Sequence, residues 1–523
     1  MADKVILCNQ SALRAKYQTG GERTIRNAVN ELIIADQKRG LKTQYIELDD
    51  AEGMKKLGGT AVTQASDARQ NKEAVDAIYK ALAPDYIMIL GAVDVIPHQN
   101  LTNPVFNPKK PDDDPDRVVP SDLPYACEAA YGVLIENFTG PTRVVGRLPD
   151  ITGSADPNYL AELLKTSAAA RQRPRSDYEE YLGISASVWQ KSTGLSLTAI
   201  FGNSTDEKVC PPALPPWTPA LLGRRSHFIN CHGASRDPHF YGQLGKKYPI
   251  SYDAADLADQ LTEGVIAAIE CCYGAELYAP AKVQNQQPSI ANTYLANKAY
   301  GYLGSTTIAY GPGDSNDWAD LLCQVFLEQT LSGASLGRAL LQARQRYVKD
   351  APTPVGPIDL KTLAQFTLLG DPSIVPVEAG DAPVITKMMV KPTPKAMFAE
   401  NRMDRIARRK DLILNGLSLE RTWPTVVSKA TRAITEGMHR KLKTLATQFG
   451  MEEPSMMTFK SRKITANQAP FSKAMIARQA NVDAIHVMME RQSSSQTGLQ
   501  NLMVMVVHEA QGQVVMVRQG YGK

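Results

Sequence analysis

Between residues 226 and 275 two short apolar runs each stop at a reactive side chain, and this pairing constrains the fold more than any other feature of the chain. The first run, Ser226-His227-Phe228-Ile229-Asn230-Cys231, leads to His232-Gly233. The second, Gly264-Val265-Ile266-Ala267-Ala268-Ile269, leads to Glu270-Cys271-Cys272-Tyr273-Gly274-Ala275. Runs of this length bounded by Gly and polar residues predict buried parallel strands, with a helix-compatible segment over 253–261 between them. Chemistry in such sheets gathers where strands end at their carboxyl edge. Neighbouring strands that end in His and Cys set an imidazole beside a thiol, the pairing that nucleophilic catalysis requires.

The flanking sequence keeps the same rhythm. Strands are predicted at 4–8, 43–48, 85–91 and 142–148, with helices at 22–39, 67–82 and 157–171 among them. Gly40 follows the first helix as a stop signal. A Pro- and Asp-rich stretch, 100–120, reads as a surface loop, and a weaker strand is predicted at 131–135. A mostly polar segment, 172–194, reads as a bridge to a second half with a strand at 195–201, the His and Cys strands, a helix at 289–299 and a strand at 304–310. Helices at 317–331 and 335–349 then lead to a last strand at 366–369. Alternation of this kind means an α/β fold, a parallel sheet wrapped by helices.

With 523 residues the chain is too long for one ordinary core. Residues 380–523 carry 22 Lys and Arg against 11 Asp and Glu, 14 of the 17 Met and none of the seven Cys, so a domain boundary is expected near 380. The expected division is an N-terminal α/β subdomain (1–185), a catalytic subdomain (186–380), a basic linker (381–411) and a smaller α+β domain (412–523). Within the last, 425–449 is predicted as a basic amphipathic helix and 501–518 as a hairpin. Its Met residues fall at apolar positions (488, 489, 503, 505, 516), which predicts core packing. No apolar run reaches the ~20 residues of a membrane span, and the start lacks a secretory pattern. The Cys spacing fits no disulfide framework. Cytoplasmic residence with reduced thiols is expected. No metal-ligand spacing, P-loop or dinucleotide fingerprint is present, so no cofactor is expected.

At the level of motifs the chain resembles the caspase-like (clan CD) cysteine peptidases, and among them the gingipain branch most fully; it is also similar to bacterial CHAT proteases. The resemblance spans roughly 1–380. It rests on the segment from Ala35 to Thr43, the Asp85-to-Pro97 strand, Ser121-Asp122-x-x-Tyr125, Gly146-Arg147, Asn230-Cys231-His232-Gly233, Glu270-Cys271-Cys272, and Phe366 to Pro372. It implies a caspase-like sandwich of two α/β subdomains and peptide hydrolysis through a thioester. His232 would relay the thiol proton, Cys272 would attack, and N–H groups of Gly233 and Cys272 would hold the oxyanion. A small and an acidic residue precede Cys272, which favours it over Cys271 as nucleophile.

Other residues carry weaker signals. Asp122 is the candidate for orienting the histidine, although an Asp capping a turn before Leu-Pro is the simpler reading of it. Tyr310, Asp314 and Trp318 follow the 304–310 strand, where the family builds its primary pocket, and Glu136 is the acid nearest the Gly-Arg strand. A carboxylate in that pocket would favour Lys or Arg at the cleavage position; as an alternative, Asp314 and Asp317 open a helix. The expected partners are protein substrates and a regulatory protein docking on the basic C-terminal domain. Few aromatics accompany its charges, which disfavours nucleic acid. Stress or defence pathways are the setting that the resemblance implies. The rival reading is a catalytically silent scaffold of the same fold, against which the retention of both His232 and Cys272 argues.

Overall fold

Five-residue segments with no polar face must be covered on both sides, and the strands of this chain meet that demand by lying at the centre of one long sheet. The computed structural model describes residues 2–352, 354–378, 425–430, 434–463, 482–492 and 501–523. The linker at 381–411, with its arginine cluster, lies outside the described residues.

The first half runs β1 (Lys4–Cys8), α1 (Gln10–Lys38), β2 (Thr43–Glu47), α2 (Ala51–Lys56), α3 (Ala68–Leu82), β3 (Tyr86–Leu90), β4 (Gln99–Thr102), β5 (Val118–Ser121), β6 (Val145–Leu148) and α4 (Asn158–Ala169). The second runs β7 (Tyr181–Ala186), α5 (Gln190–Phe201), β8 (Glu207–Cys210), α6 (Pro219–Leu222), β9 (Ser226–Asn230), β10 (His232–Gly233), β11 (His239–Tyr241), β12 (Ile250–Asp253), β13 (Ile266–Ile269), α7 (Ile290–Ala296), β14 (Gly301–Ser305), β15 (Tyr310–Gly311), α8 (Trp318–Leu331), α9 (Leu336–Asp350), α10 (Pro357–Gln365) and β16 (Phe366–Gly370). Last come β17 (Thr425–Lys429), α11 (Glu436–Gln448), β18 (Ser455–Lys463), β19 (Ala484–Gln492), β20 (Asn501–Ala510) and β21 (Gln513–Gly522).

Both halves join in a single ten-stranded sheet, ordered β2-β1-β3-β6-β16-β14-β13-β9-β7-β8. All neighbours are parallel except β14 and β16, which run antiparallel. The expected α/β class, with a parallel-dominated sheet of caspase-like type, is what the chain forms.

Several local expectations need correction. Residues 195–201 are the end of helix α5, not a strand. Ser192, Thr193, Ser196, Leu197 and Ile200 share its buried face, and the small hydroxyl residues on that stripe hid its period from view. The polar bridge contains β7, wholly buried although Gly183 and Ser185 interrupt its apolar character. The 253–261 segment is strand β12 followed by one 3-10 turn, and 131–135 ends in a 3-10 turn rather than a strand. The 304–310 strand is two pieces, β14 and β15. Within 425–449, the β-branched start of the segment forms β17 on β18, and only 436–448 is helical. The 100–120 loop holds the hairpin β4–β5, and its Asp114 is buried against Lys361 at 2.5 Å.

The C-terminal strands build a second sheet, ordered β15-β21-β20-β19-β18-β17, so a strand from the first 380 residues forms its edge. Alternate side chains of β19 and β20 face opposite ways, as strand geometry requires. Met488, Met503 and Met505 pack under Met438 and Leu442 of α11. Ile485, Val487, Met489 and Val504 join one apolar cluster with Leu327 and Ile358 of the large α/β layer. Each such side chain contributes roughly 1.5–3 kcal/mol on burial. Met516 departs from the expected core role and is exposed.

Asp122 belongs to this architecture. Its oxygens accept from Arg147 Nε and Nη2 at 2.9 and 2.6 Å, and Arg147 also donates to the carbonyls of Gly91 and Ile96. Burial pushes the carboxyl up, but the Arg147 guanidinium outweighs it and holds the pKa at about 2. A carboxyl held below its ordinary value stabilises the fold above pH ~4, and that contribution, about 2 kcal/mol, disappears as pH falls toward 2. Asp122→Asn, which leaves Arg147 buried and unpaired, is expected to lower unfolding free energy by about 3–5 kcal/mol. Urea denaturation at pH 7 measures this; an unchanged midpoint would contradict it.

Candidate active site

Strands β9 and β13 lie side by side in parallel, with Ser226 opposite Ile266 and Ile229 opposite Ile269. Because the register is even, both chains leave the sheet at the same edge. His232 follows one tip and Cys272 the other. The two exits touch: a Cβ on Gly233 would stand 2.0 Å from the Cys272 carbonyl oxygen, so only glycine permits the approach. Tyr273 turns the chain sharply, with φ of 55°. Such a backbone needs support from its surroundings, and the Tyr273 hydroxyl donates to Asp116 at 3.0 Å while its amide donates to the Thr307 carbonyl.

His232, Gly233, Cys272, Tyr273 and Ile308 line one cavity of about 200 Å³. The Cys272 thiol there accepts from the Ala309 amide at 3.3 Å. Cys271 points the other way, into the layer between the strands, where its sulfur accepts from the Cys231 amide. Of the two adjacent thiols, Cys272 is therefore the one beside the histidine's cavity.

The histidine is oriented by an amide and not by an acid. His232 Nε2 stands 2.8 Å from Gln243 Oε1, and the Gln243 amino group donates to the Gly245 carbonyl, which settles the amide's direction. Nε2 thus carries the proton and Nδ1 is the basic nitrogen. Trp189 and Tyr248 flank the ring at centroid distances of 4.5 and 5.0 Å. The expectation that Asp122 orients His232 is corrected, since both its oxygens are engaged by Arg147.

A lysine fills the floor of the site. The carbonyl oxygen of Lys523 accepts from the Cys272 amide at 3.0 Å, and its own amide donates to the Ala309 carbonyl at 2.9 Å. Its ammonium lies between Glu270 and Asp320, at 2.8 Å from Asp320 Oδ2 and in contact with Glu270 Oε2. All three side chains are fully buried. Asn230 donates to the other Asp320 oxygen at 3.2 Å, and the Trp189 ring lies 5.5 Å from the ammonium. Burial pulls the ammonium toward neutrality, but the two carboxylates outweigh it and raise its pKa. Glu270 is pushed well up by burial and by Asp320 beside it. One Glu270 oxygen has no hydrogen-bond partner among the described residues.

The other expected substrate-binding residues divide. Tyr310 lies in the cleft through its backbone, paired with Gly522, while its hydroxyl donates to Asp114 at 2.5 Å. Trp318 is fully buried and stacked 4.7 Å from the Arg518 guanidinium, so it is a wall and not a lid. Asp314 is exposed on the turn after β15, outside the acidic pocket, and Glu136 sits on a 3-10 turn packed on α10. The pocket's own acids, Glu270 and Asp320, went unassigned in the sequence. A carboxylate ending an otherwise apolar strand was the one signal for the first. The second sits inside helix α8, where spacing distinguishes nothing.

Cys272 and His232 are 4% and 3% exposed, and burial pushes the thiol up to about 12 and the imidazole down to about 4. With Lys523 in place, both are neutral at pH 7.

Paired strand tips of this kind, on a ten-stranded α/β sheet, are consistent with a caspase-like fold. Residues 249–377 match the family model for Peptidase family C25, and that match supports a cysteine peptidase of the gingipain branch. The matched segment contains Cys272, Glu270 and Asp320 and stops short of His232. No curated protein matches the sequence. Among the described residues no helix is long and apolar enough to cross a membrane, and no cluster of metal-ligating side chains occurs.

Gln243→Ala frees the His232 ring, and misplacement on that scale is expected to lower kcat roughly 10- to 100-fold with little change in KM. Steady-state kinetics on a Lys-ester substrate measure it; a rise confined to KM would contradict the orienting role.

Proposed function

We propose that the chain is an endopeptidase that cuts on the carboxyl side of Lys, and of Arg, with Cys272 as nucleophile and His232 as acid–base. The observation that carries this reading is Lys523. Its side chain bridges two buried carboxylates while its carbonyl rests on the Cys272 amide, which is how a substrate's P1 residue would lie. Two acids beside one ammonium give charge-assisted hydrogen bonds that offset the cost of taking the ammonium out of water. The unpartnered Glu270 oxygen could accept one of the additional N–H donors of an arginine.

The steps follow from the residues present. The Cys272 thiol passes its proton to His232, and sulfur attacks the carbonyl carbon. The oxygen gains charge against the Cys272 amide. The imidazolium then protonates the leaving amine as the C–N bond breaks, giving a thioester. Water attacks the thioester carbonyl as His232 removes its proton, and the thiol leaves with that proton. Gly233 serves by lacking a Cβ, which lets the two strand tips meet.

The cytoplasmic stress or defence setting expected from the sequence, and a regulatory role for the C-terminal domain, are carried forward with this reading. Cell fractionation would test the first.

An acyloxymethyl ketone bearing Lys tests the assignment. Labelling is expected to disappear in Cys272→Ala and to fall at least 100-fold in His232→Ala, the range general acid–base catalysis supplies. Labelling that survives in Cys272→Ala and is lost in Cys271→Ala would overturn the nucleophile, and none under any condition would favour a scaffold. Asp320→Asn is expected to lower kcat/KM for Lys substrates by 10-fold or more, in line with the loss of one charge-assisted hydrogen bond, about 1.5–3 kcal/mol.

A further inference from the structure

Strand β21 lies in the cleft as a substrate would. It runs antiparallel to β15, with Tyr310 opposite Gly522 and Gly311 opposite Tyr521, and so adds a strand to the edge beside the catalytic residues. Strand addition is a recurrent way for a binding edge to hold an extended peptide through main-chain hydrogen bonds. The next bond along, from the Lys523 amide to the Ala309 carbonyl, continues the ladder up to Cys272. The Gly522 carbonyl adds a contact to the His232 ring.

Two glycines make the fit possible. A Cβ on Gly520 would stand 2.6 Å from both the Gly311 carbonyl oxygen and the Trp318 ring. On Gly522 it would meet Leu502 at 3.1 Å and Ile308 at 3.4 Å. The strand is flush against its groove at Gly520 and Gly522, while Tyr521 packs beside Phe449 at a ring-centroid distance of 5.8 Å. A second anchor sits five residues upstream. Arg518 donates bidentately to Asp359 at 2.8 and 2.9 Å and to Asp317 at 2.7 Å, across from the Trp318 ring. On its other side β21 pairs with β20 from Gln513 to Tyr521, Gly520 lying opposite Val504 and Tyr521 opposite Met503. That hairpin holds the segment at a high effective concentration, which tethering alone can raise to the millimolar range.

Resting on the Lys-directed reading above, we propose that residues 520–523 are a built-in peptide ligand of the peptidase cleft, which occupies the P4 to P1 positions and must withdraw before a protein substrate enters. The segment also displays the substrate form that the cleft accepts. That form is extended, basic at P1, and small at P2 and P4 because Ile308, Trp318 and the Gly311 carbonyl close those places. Withdrawal requires rupture of the short β15–β21 ladder and of the Lys523 and Arg518 ion pairs, and it must shift the β20 side chains that pack with Leu327 and Ile358. The β20–β21 hairpin itself can persist. While the ligand is in place the thiol and imidazole are both held neutral and closed to bulk water, a resting state of the dyad.

The test uses the full chain and the Lys-bearing acyloxymethyl ketone. Lys523→Ala is expected to label at Cys272 at least 10-fold faster than wild type, and Arg518→Ala, which lies outside the catalytic machinery, several-fold faster. Added acetyl-Gly-Tyr-Gly-Lys should slow Lys523→Ala back toward the wild-type rate. Equal rates in wild type and both variants would overturn the proposal while leaving the peptidase reading intact. Absence of labelling in all three would remove that reading and this one together. Should Lys523→Ala fail to fold, wild type suffices. Full labelling is expected to strip hydrogen-exchange protection from the Lys523 amide, which donates to the Ala309 carbonyl, and protection that persists there would overturn the proposal.

Discussion

The site depends on an ammonium held between two buried carboxylates. Glu270 and Asp320 come from different elements, the tip of β13 and the first turn of α8. Alone, two carboxylates this close and this dry could not both stay ionised, because each raises the proton affinity of the other. Lys523 eases that conflict, its ammonium drawing the raised proton affinity of Glu270 part of the way back down. It also sets the distance from pocket floor to cleft rim, since one lysine side chain spans from the acids to the Cys272 amide. On the proposed reading, a pocket so built would select by charge and length together.

The proposed catalytic pair depends on a different constraint, the register of parallel strands. His232 and Cys272 need no direct bond to be neighbours, because β9 and β13 deliver them from adjacent positions at the same edge. The covering layers then assign their roles. Gln243, on the segment after β11, fixes the imidazole's tautomer, and Ala309, just before β15, supplies an N–H to the sulfur. The contrast between the two adjacent thiols has the same origin. Cys271 is turned into the packed layer and Cys272 into the cavity, so one is a small apolar neighbour and the other a reactive group.

Where sequence reasoning succeeded, it read strands whose burial is one continuous apolar run, such as β1, β3 and β13. It failed where burial is achieved with small polar residues. Helix α5 hides its inner face in serines and threonines, and β7 carries Gly and Ser within a fully covered strand. The 100–120 stretch reads as a solvated loop because Pro and Asp dominate it, yet Asp114 and Asp116 are drawn inward by Lys361, 245 or more positions later. Long-range charge pairing leaves no local period.

Sequence alone determined the α/β class, the two strand tips with their His and Cys, and the distinct Met-rich, basic C-terminal portion. The first two follow from apolar spacing and turn chemistry, which act locally within each element, and the third from a shift in composition beyond residue 380. Only the tertiary structure decided that Asp122 braces Arg147 instead of the histidine, that Glu270 and Asp320 form one pocket, and that Lys523 lies within it. Each of these is an electrostatic pairing between segments far apart in the chain. Such pairs are chosen by which surfaces the sheet brings together, and no residue type or interval along the chain encodes that choice.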